Sequence, residues 1–214
     1  MKNLASYIDH TLLKPTATES QIRLLCQEAI TYNFRTVCIN GCWVALAAEL
    51  LQNSKVEIAT VVGFPLGAMS TKAKVAETKE ALMNGADEVD MVMNLGWLIA
   101  KDYENVQNEI SRVKKVMGTK ILKVIIETCY LTNEEKEKAC ELAIAANADY
   151  IKTSTGFGPE GATFTDVQLI KKTVGDNALI KASGGVRDKT TALTFIEMGV
   201  SRIGTSSGIL LVSE

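Results

Sequence analysis

Eight short apolar segments alternate with helical stretches, and this alternation predicts a (β/α)8 (TIM) barrel of the α/β class. The segments end near positions 9, 38, 63, 90, 127, 152, 181 and 204, about 28 residues apart on average, the length of one strand-loop-helix-loop unit. Several are continuous apolar runs, such as 56–62, the pattern of strands buried on both faces. No linker or low-complexity stretch interrupts the chain, so one barrel domain over residues 1–214 is expected, at the short end of the range. An open doubly wound sheet is the rival, set aside because no G-x-G-x-x-G dinucleotide loop follows the opening strand.

The elements follow in order. Residues 4–12 form a short apolar segment broken by Asp9 and His10. Thr18-x-x-Gln21 is a capping box, and the helix it opens shows one face of Ile22, Leu25, Cys26, Ala29 and Ile30. Residues 34–39 are β-rich and stop at Asn40-Gly41, and 43–51 are apolar at helical length. The run 56–62 stops at Gly63-Phe64-Pro65, and a helix over 72–84 is ended by Gly85. Residues 88–93 form a buried-strand candidate with Asp90 inside it. Tyr103, Val106, Ile110, Val113 and Val116 trace a helical stripe ending at Gly118. The strand over 121–126 carries Lys123 and ends at Glu127, and Thr132-x-x-Glu135 caps the next helix. Tyr150-Ile151 runs directly into Lys152. Thr165-x-x-Gln168 is expected to cap the helix of Val167, Ile170 and Val174, and Asp188 that of Leu193, Phe195 and Ile196. Residues 201–204 form the last strand. Met83, Met91, Met93 and Met198 read as core filler.

Bulk properties exclude several function classes. The formal net charge of −2 argues against nucleic acid or an anionic membrane as a partner. No window reaches the apolar length of a membrane span, and the N-terminus has no apolar run long enough for a signal peptide. Five scattered cysteines and the single His10 complete no zinc pattern, so neither a metal nor a cofactor is expected. Reduced thiols suit a cytoplasmic protein. His10 reads equally as a packed, hydrogen-bonded histidine and as a catalyst, whereas Cys38 reads first as a packed bystander thiol.

The chemistry lies in the polar residues that interrupt apolar strands. Asp9, Asp90, Glu127, Lys152 and Lys181 all sit within or at the C-terminal end of a strand. In a barrel those ends open on one face, where active sites are built. One such residue alone is more often a buried ion-pair member, whereas a convergent set points to function. A neutral lysine attacks carbonyls and an ammonium does not. Reaching the neutral amine near pH 7 costs about 4 kcal/mol from an ordinary lysine pKa of about 10.4. Burial and a neighbouring ammonium both lower that cost, and two lysines at adjacent strand ends supply both. Asp90 beside one amine would keep it charged and thereby favour the neutral form of the other. Spacing alone does not assign the two roles. Lys123 lacks the Gly/Ser loop that follows Lys152 and Lys181, and it is ranked as structural or supporting.

Two glycine-bearing turns follow the seventh and eighth strands, Ser183-Gly184-Gly185-Val186-Arg187 and Gly204-Thr205-Ser206-Ser207-Gly208. Backbone N–H groups and hydroxyls there suit a phosphate, whose usual place in this architecture is the loops after strands seven and eight. Either turn alone is weak evidence, since Gly-Gly more often marks only a tight turn.

These motifs together resemble the deoxyribose-phosphate aldolase family from Ile8 to Ser207. The matching stretches are Ile8-Asp9-His10-Thr11-x-Leu13-Lys14-Pro15, Glu88-Val89-Asp90-Met91-Val92, Leu122-Lys123-Val124-Ile125-Ile126-Glu127-Thr128, Ile151-Lys152-Thr153-Ser154-Thr155-Gly156, Lys181-Ala182-Ser183-Gly184-Gly185-Val186-Arg187 and Arg202-Ile203-Gly204-Thr205-Ser206-Ser207. The resemblance implies a metal-free class I aldolase that reversibly cleaves 2-deoxy-D-ribose 5-phosphate to D-glyceraldehyde 3-phosphate and acetaldehyde. It implies Lys152 as the Schiff-base lysine and Asp90 with Lys181 as the proton carriers. Asp9 and Lys123 support them. Thr155, Gly156, Gly184, Gly185, Gly204, Ser206 and Ser207 would bind substrate and phosphate. Where some family members carry a basic residue after the Ser-Thr-Gly of this loop, the chain has Phe157. A phosphosugar isomerase on the same barrel is the alternative; a phosphosugar-binding protein and a zinc-dependent aldolase rank lower. A homo-oligomer is compatible with the sequence.

Overall fold

The computed structural model describes residues 3–213. Met1, Lys2 and Glu214, inside the expected domain bounds, lie outside the described residues. Eight parallel strands close into a barrel in chain order: β1 (Ile8–Leu12), β2 (Thr36–Ile39), β3 (Glu57–Val62), β4 (Glu88–Val92), β5 (Ile121–Ile125), β6 (Tyr150–Lys152), β7 (Leu179–Ser183) and β8 (Arg202–Thr205), with β8 pairing back to β1. Between and after them run α1 (Glu19–Tyr32), α2 (Val44–Leu51), α3 (Thr71–Met83), α4 (Leu95–Ile99), α5 (Tyr103–Met117), α6 (Asn133–Ala145), α7 (Phe164–Val174), α8 (Lys189–Glu197) and α9 (Gly208–Ser213). The eight-fold barrel expected from the spacing is the fold observed.

Strand alternation builds two separate interiors. Ile8, Val37, Val89, Leu122, Val124, Ile151, Ile180 and Ile203 join the apolar layer that also holds the helix residues Ile22, Val106, Ile110, Ile170 and Phe195. Their in-between neighbours point into the barrel. On the β2–β3 side those are Cys38, Ala59 and Val61, which cluster with Leu13 and Phe64. On the opposite side the inward positions are charged. Barrel interiors are ordinarily filled by branched apolar residues, so the charged half marks the functional side.

Local expectations fare unevenly. Both side-chain-backbone bonds of the capping box at Thr132/Glu135 form, the Thr18 N–H donates to Oε1 of Gln21 at 3.0 Å at the start of α1, and Asp188 caps α8 by accepting from the Thr191 N–H at 2.8 Å. The cap of α7 is Thr163, not Thr165: its hydroxyl accepts from the Asp166 N–H at 3.0 Å. Two T-x-x-[D/Q] frames overlap there, and burial of Asp166 against Lys136 selects the earlier one. Met91 and Met93 are fully buried, but Met83, on the last turn of α3, is 80% exposed and fills no core. The short α4, capped by Asn94, is too brief for periodicity to reveal. A Gly156-x-Gly158-x-x-Gly161 spacing does occur, after β6 rather than β1. It serves close packing there: a Cβ on Gly161 would stand 2.1 Å from the carbonyl oxygen of Gly184.

Candidate active site

Each charged side chain reaches the barrel interior by strand alternation. Glu88 and Asp90 are two residues apart on β4 and face inward together, beside Lys123 of β5 through the Asp90–Lys123 register. Lys152 and Lys181 are register partners on β6 and β7, and Lys181 is the partner of Arg202 on β8. Asp9 enters from β1.

These residues form one buried ionic cluster. Lys152 donates to Oδ2 of Asp90 at 2.8 Å, and Lys181 donates to the same oxygen at 2.7 Å. Lys123 donates to the other oxygen, Oδ1, at 2.8 Å, and lies 2.5 Å from Oε2 of Glu88. Lys181 also donates to Oδ2 of Asp9, whose Oδ1 accepts from Arg202 Nη1 at 2.5 Å. Arg202 bonds both oxygens of Glu88 in turn. Four basic side chains thus meet three carboxylates, and every member is at least 96% buried. The two lysines expected at one face share a single oxygen atom.

Electrostatics fix the state of most members. Burial would raise the Asp90 carboxyl, but Lys123, Lys152 and Lys181 outweigh it and hold it well below the ordinary carboxylate range. Asp9 behaves alike: Lys181 and Arg202 overcome burial and hold it low. Burial works against charge on Lys181, yet Asp9 and Asp90 raise its pKa above the ordinary lysine value. Lys123 is likewise raised, against burial, chiefly by Asp90. Burial pushes the Cys38 thiol up, keeping it protonated beside these amines.

Above the cluster lies a cavity of about 380 Å³, within the size range of small-molecule sites. Of the buried amines among the described residues, only Lys152 lines it. Thr155, Gly156, Gly184, Gly185, Gly204 and Ser206 also line it. Gly184 and Gly185 have φ of 85° and 80°, so a side chain at either would be strained. Gly204 answers a different need: a Cβ there would stand 3.0 Å from Cε of Lys181. Ser207 is not among the lining residues; its N–H is bonded to Oγ1 of Thr205 at 2.9 Å. Asp9, Asp90, Lys123 and Lys181 lie beneath the cavity floor. His10 points outward from β1 and bonds Glu28 at 2.7 Å, so it is a packed residue. Burial lowers its pKa, against the pull of Glu28.

Sequence reasoning passed over Glu88, Arg202 and Lys14. Glu88 had a readable signal, since it sits two residues before Asp90 in the same strand and must share its face. Arg202 stands in the same relation to Gly204. Lys14 and Arg187 bring positive charge to the cavity lining from the loops after β1 and β7.

Fold and cluster together define a (β/α)8-barrel enzyme with a lysine at the floor of its pocket. The DeoC/LacD family aldolase model matches residues 4–211, and the chain belongs to that family: it is an aldolase. A relative from Brevibacillus brevis named deoxyribose-phosphate aldolase is 56% identical over 99% of this chain and 96% of its own length. Another of that name, from Finegoldia magna, is 54% identical over 98% of both. A tetrameric deoxyribose phosphate aldolase structure from Aeropyrum pernix superposes with a TM-score of 0.89 at 32% identity, covering 98% of this chain and 89% of that one.

Proposed function

We propose that this aldolase cleaves 2-deoxy-D-ribose 5-phosphate reversibly to D-glyceraldehyde 3-phosphate and acetaldehyde through a Schiff base on Lys152. One observation carries the reading. Lys152 is the buried amine that reaches the cavity, and it shares its Asp90 oxygen with an ammonium that two carboxylates keep charged. A neighbouring positive charge favours the neutral, nucleophilic form of the amine.

The steps follow from that arrangement. The Lys152 amine adds to the aldehyde carbon of the open-chain sugar, and loss of water leaves an iminium. The C3 hydroxyl gives up its proton, the C2–C3 bond breaks, and its electron pair passes to the iminium as an enamine. Glyceraldehyde 3-phosphate leaves. The enamine takes a proton at C2, and water releases acetaldehyde and restores the amine. Asp90 and Lys181 carry the protons, and Asp9 and Lys123 hold that pair in place. Backbone N–H groups of the Gly184-Gly185 turn, Ser206, Lys14 and Arg187 receive the phosphate at the outer end of the cavity. The Asp188 carboxylate already occupies the N-terminus of α8, so phosphate recognition rests on the turns and cations and not on that helix end. A homo-oligomer, the state in which the Aeropyrum pernix relative is described, is the proposed assembly, and sedimentation velocity measures it.

Reduction with borohydride in the presence of acetaldehyde tests the mechanism. Mass spectrometry should place one ethyl adduct on the peptide containing Lys152, with activity lost in proportion. An unmodified Lys152 peptide would sink the covalent route and leave the non-covalent isomerase reading.

A further inference from the structure

Glu127 lies at the end of β5 with φ of 46° and ψ of 67°, a left-handed conformation that side chains other than Asn, Asp and Gly rarely adopt. It is 3% exposed. A buried acid in a strained backbone calls for a compensating contact. The three hydrogen bonds of its carboxylate all go to Thr155 on the loop after β6: the Thr155 N–H donates to both oxygens, at 3.1 and 3.2 Å, and the Thr155 hydroxyl donates to Oε2. The same hydroxyl accepts from the Phe157 N–H at 3.0 Å. A hydroxyl has one hydrogen, and here Glu127 takes it. Thr155 therefore has no hydroxyl proton left for a ligand in the cavity it lines. The rest of the loop is held as tightly. A Cβ on Gly158 would meet Sγ of Cys129 at 2.9 Å, and Ala162 N–H donates to the carbonyls of Ser183 and Gly184.

We propose that Glu127 is a positioning residue for substrate binding: its left-handed backbone aims a buried carboxylate that clamps Thr155 and so sets the cavity rim of Thr155, Gly156 and Phe157 over Lys152. This rests on the reading of the cavity as the substrate site. The clamp acts on sugar-phosphate binding and leaves the amine untouched, because the carboxylate bonds the loop and not the ionic cluster.

The test compares Glu127→Ala with Glu127→Gly, alone and combined with Thr155→Val. Both single variants should raise KM for 2-deoxyribose 5-phosphate about ten-fold, the size of one lost hydrogen bond, with kcat changed less than about two-fold. Relief of the left-handed strain should leave Glu127→Gly melting about 2 °C above Glu127→Ala, although its KM is no better. Thr155→Val should raise KM similarly, and adding it to either Glu127 variant should raise KM no further. Acetaldehyde–borohydride labelling of Lys152 should match the parent protein. A KM that follows melting temperature, additive effects of the two sites, or lost labelling in the Glu127 variants would each overturn the clamp. Failure of the parent protein itself to label would instead refute the Schiff-base reading.

Discussion

At the scale of single residues, the proposed reaction gives three side chains separable tasks. On the proposed Schiff-base route, Lys152→Ala removes the nucleophile while deleting a single contact to the cluster, so turnover should fall by at least about 1000-fold with the barrel intact. Single-turnover assays and circular dichroism check both halves. Lys181→Leu removes the ammonium beside Lys152 and also leaves Asp9 and Asp90 short of a buried counter-charge. The pH–rate profile should move to higher pH, with a large loss of rate and about 3 kcal/mol of stability lost. An unmoved profile would end the electrostatic role. Lys14 is exposed, so its contribution is long-range and screened. Lys14→Met should raise KM for the phosphorylated sugar roughly three-fold at low ionic strength, and the difference should vanish at about 1 M salt. Initial-rate measurements over a salt series decide it.

At the scale of elements, packing decides how steadily the strand ends are held. α3 and α5 meet at a fully buried pair, Lys74 and Glu109, 2.7 Å apart, and Lys74 also donates to the carbonyl of Val92 at 2.8 Å. Burial pulls the Lys74 pKa down and the Glu109 pKa up, each against the attraction of the other. Lys74→Met alone strands a buried carboxylate and should cost about 3 to 5 kcal/mol in denaturant melts. Adding Glu109→Leu should recover most of that loss, because the desolvation cost goes with the charge. A double variant as unstable as the single one would mean that the bond to Val92, at the end of the strand bearing Asp90, is what matters. The longer helices were legible because capping boxes and helical stripes are local, while the five-residue α4 was not. The cap of α7 was misplaced because two equivalent frames overlap, and only the tertiary contact between Lys136 and Asp166 separates them.

For the whole molecule, the buried cluster couples stability to pH. Asp9 and Asp90 have folded-state values below their unfolded ones. Their contribution is complete above about pH 4 and is lost as pH falls towards the folded values. Lys181 is raised, so its contribution is complete below about pH 10 and is lost as pH climbs through its folded value. These groups keep the melting temperature level between about pH 7 and 9 and make it drop steeply at the acid end, and the lowered His10 adds a smaller loss that begins below about pH 6.5. A melt that shows no steep fall below about pH 4 would end the role of the two buried carboxylates in acid stability.

Local patterns in the chain were enough to specify the barrel, because strand length, helical stripes and caps depend on neighbours a few residues apart. They also located Lys152, Asp90 and Lys181, since charges inside apolar strands are visible without a partner. Tertiary structure alone decided which charge meets which. Arg202 reaches Asp9 across 193 positions and Lys181 reaches Asp90 across 91, contacts that exist only when β8 closes on β1. It also decided that Glu127 spends itself on Thr155 and that Ser207 falls outside the cavity lining. Strand register and loop packing set those outcomes, and neither is encoded within the span of a single element.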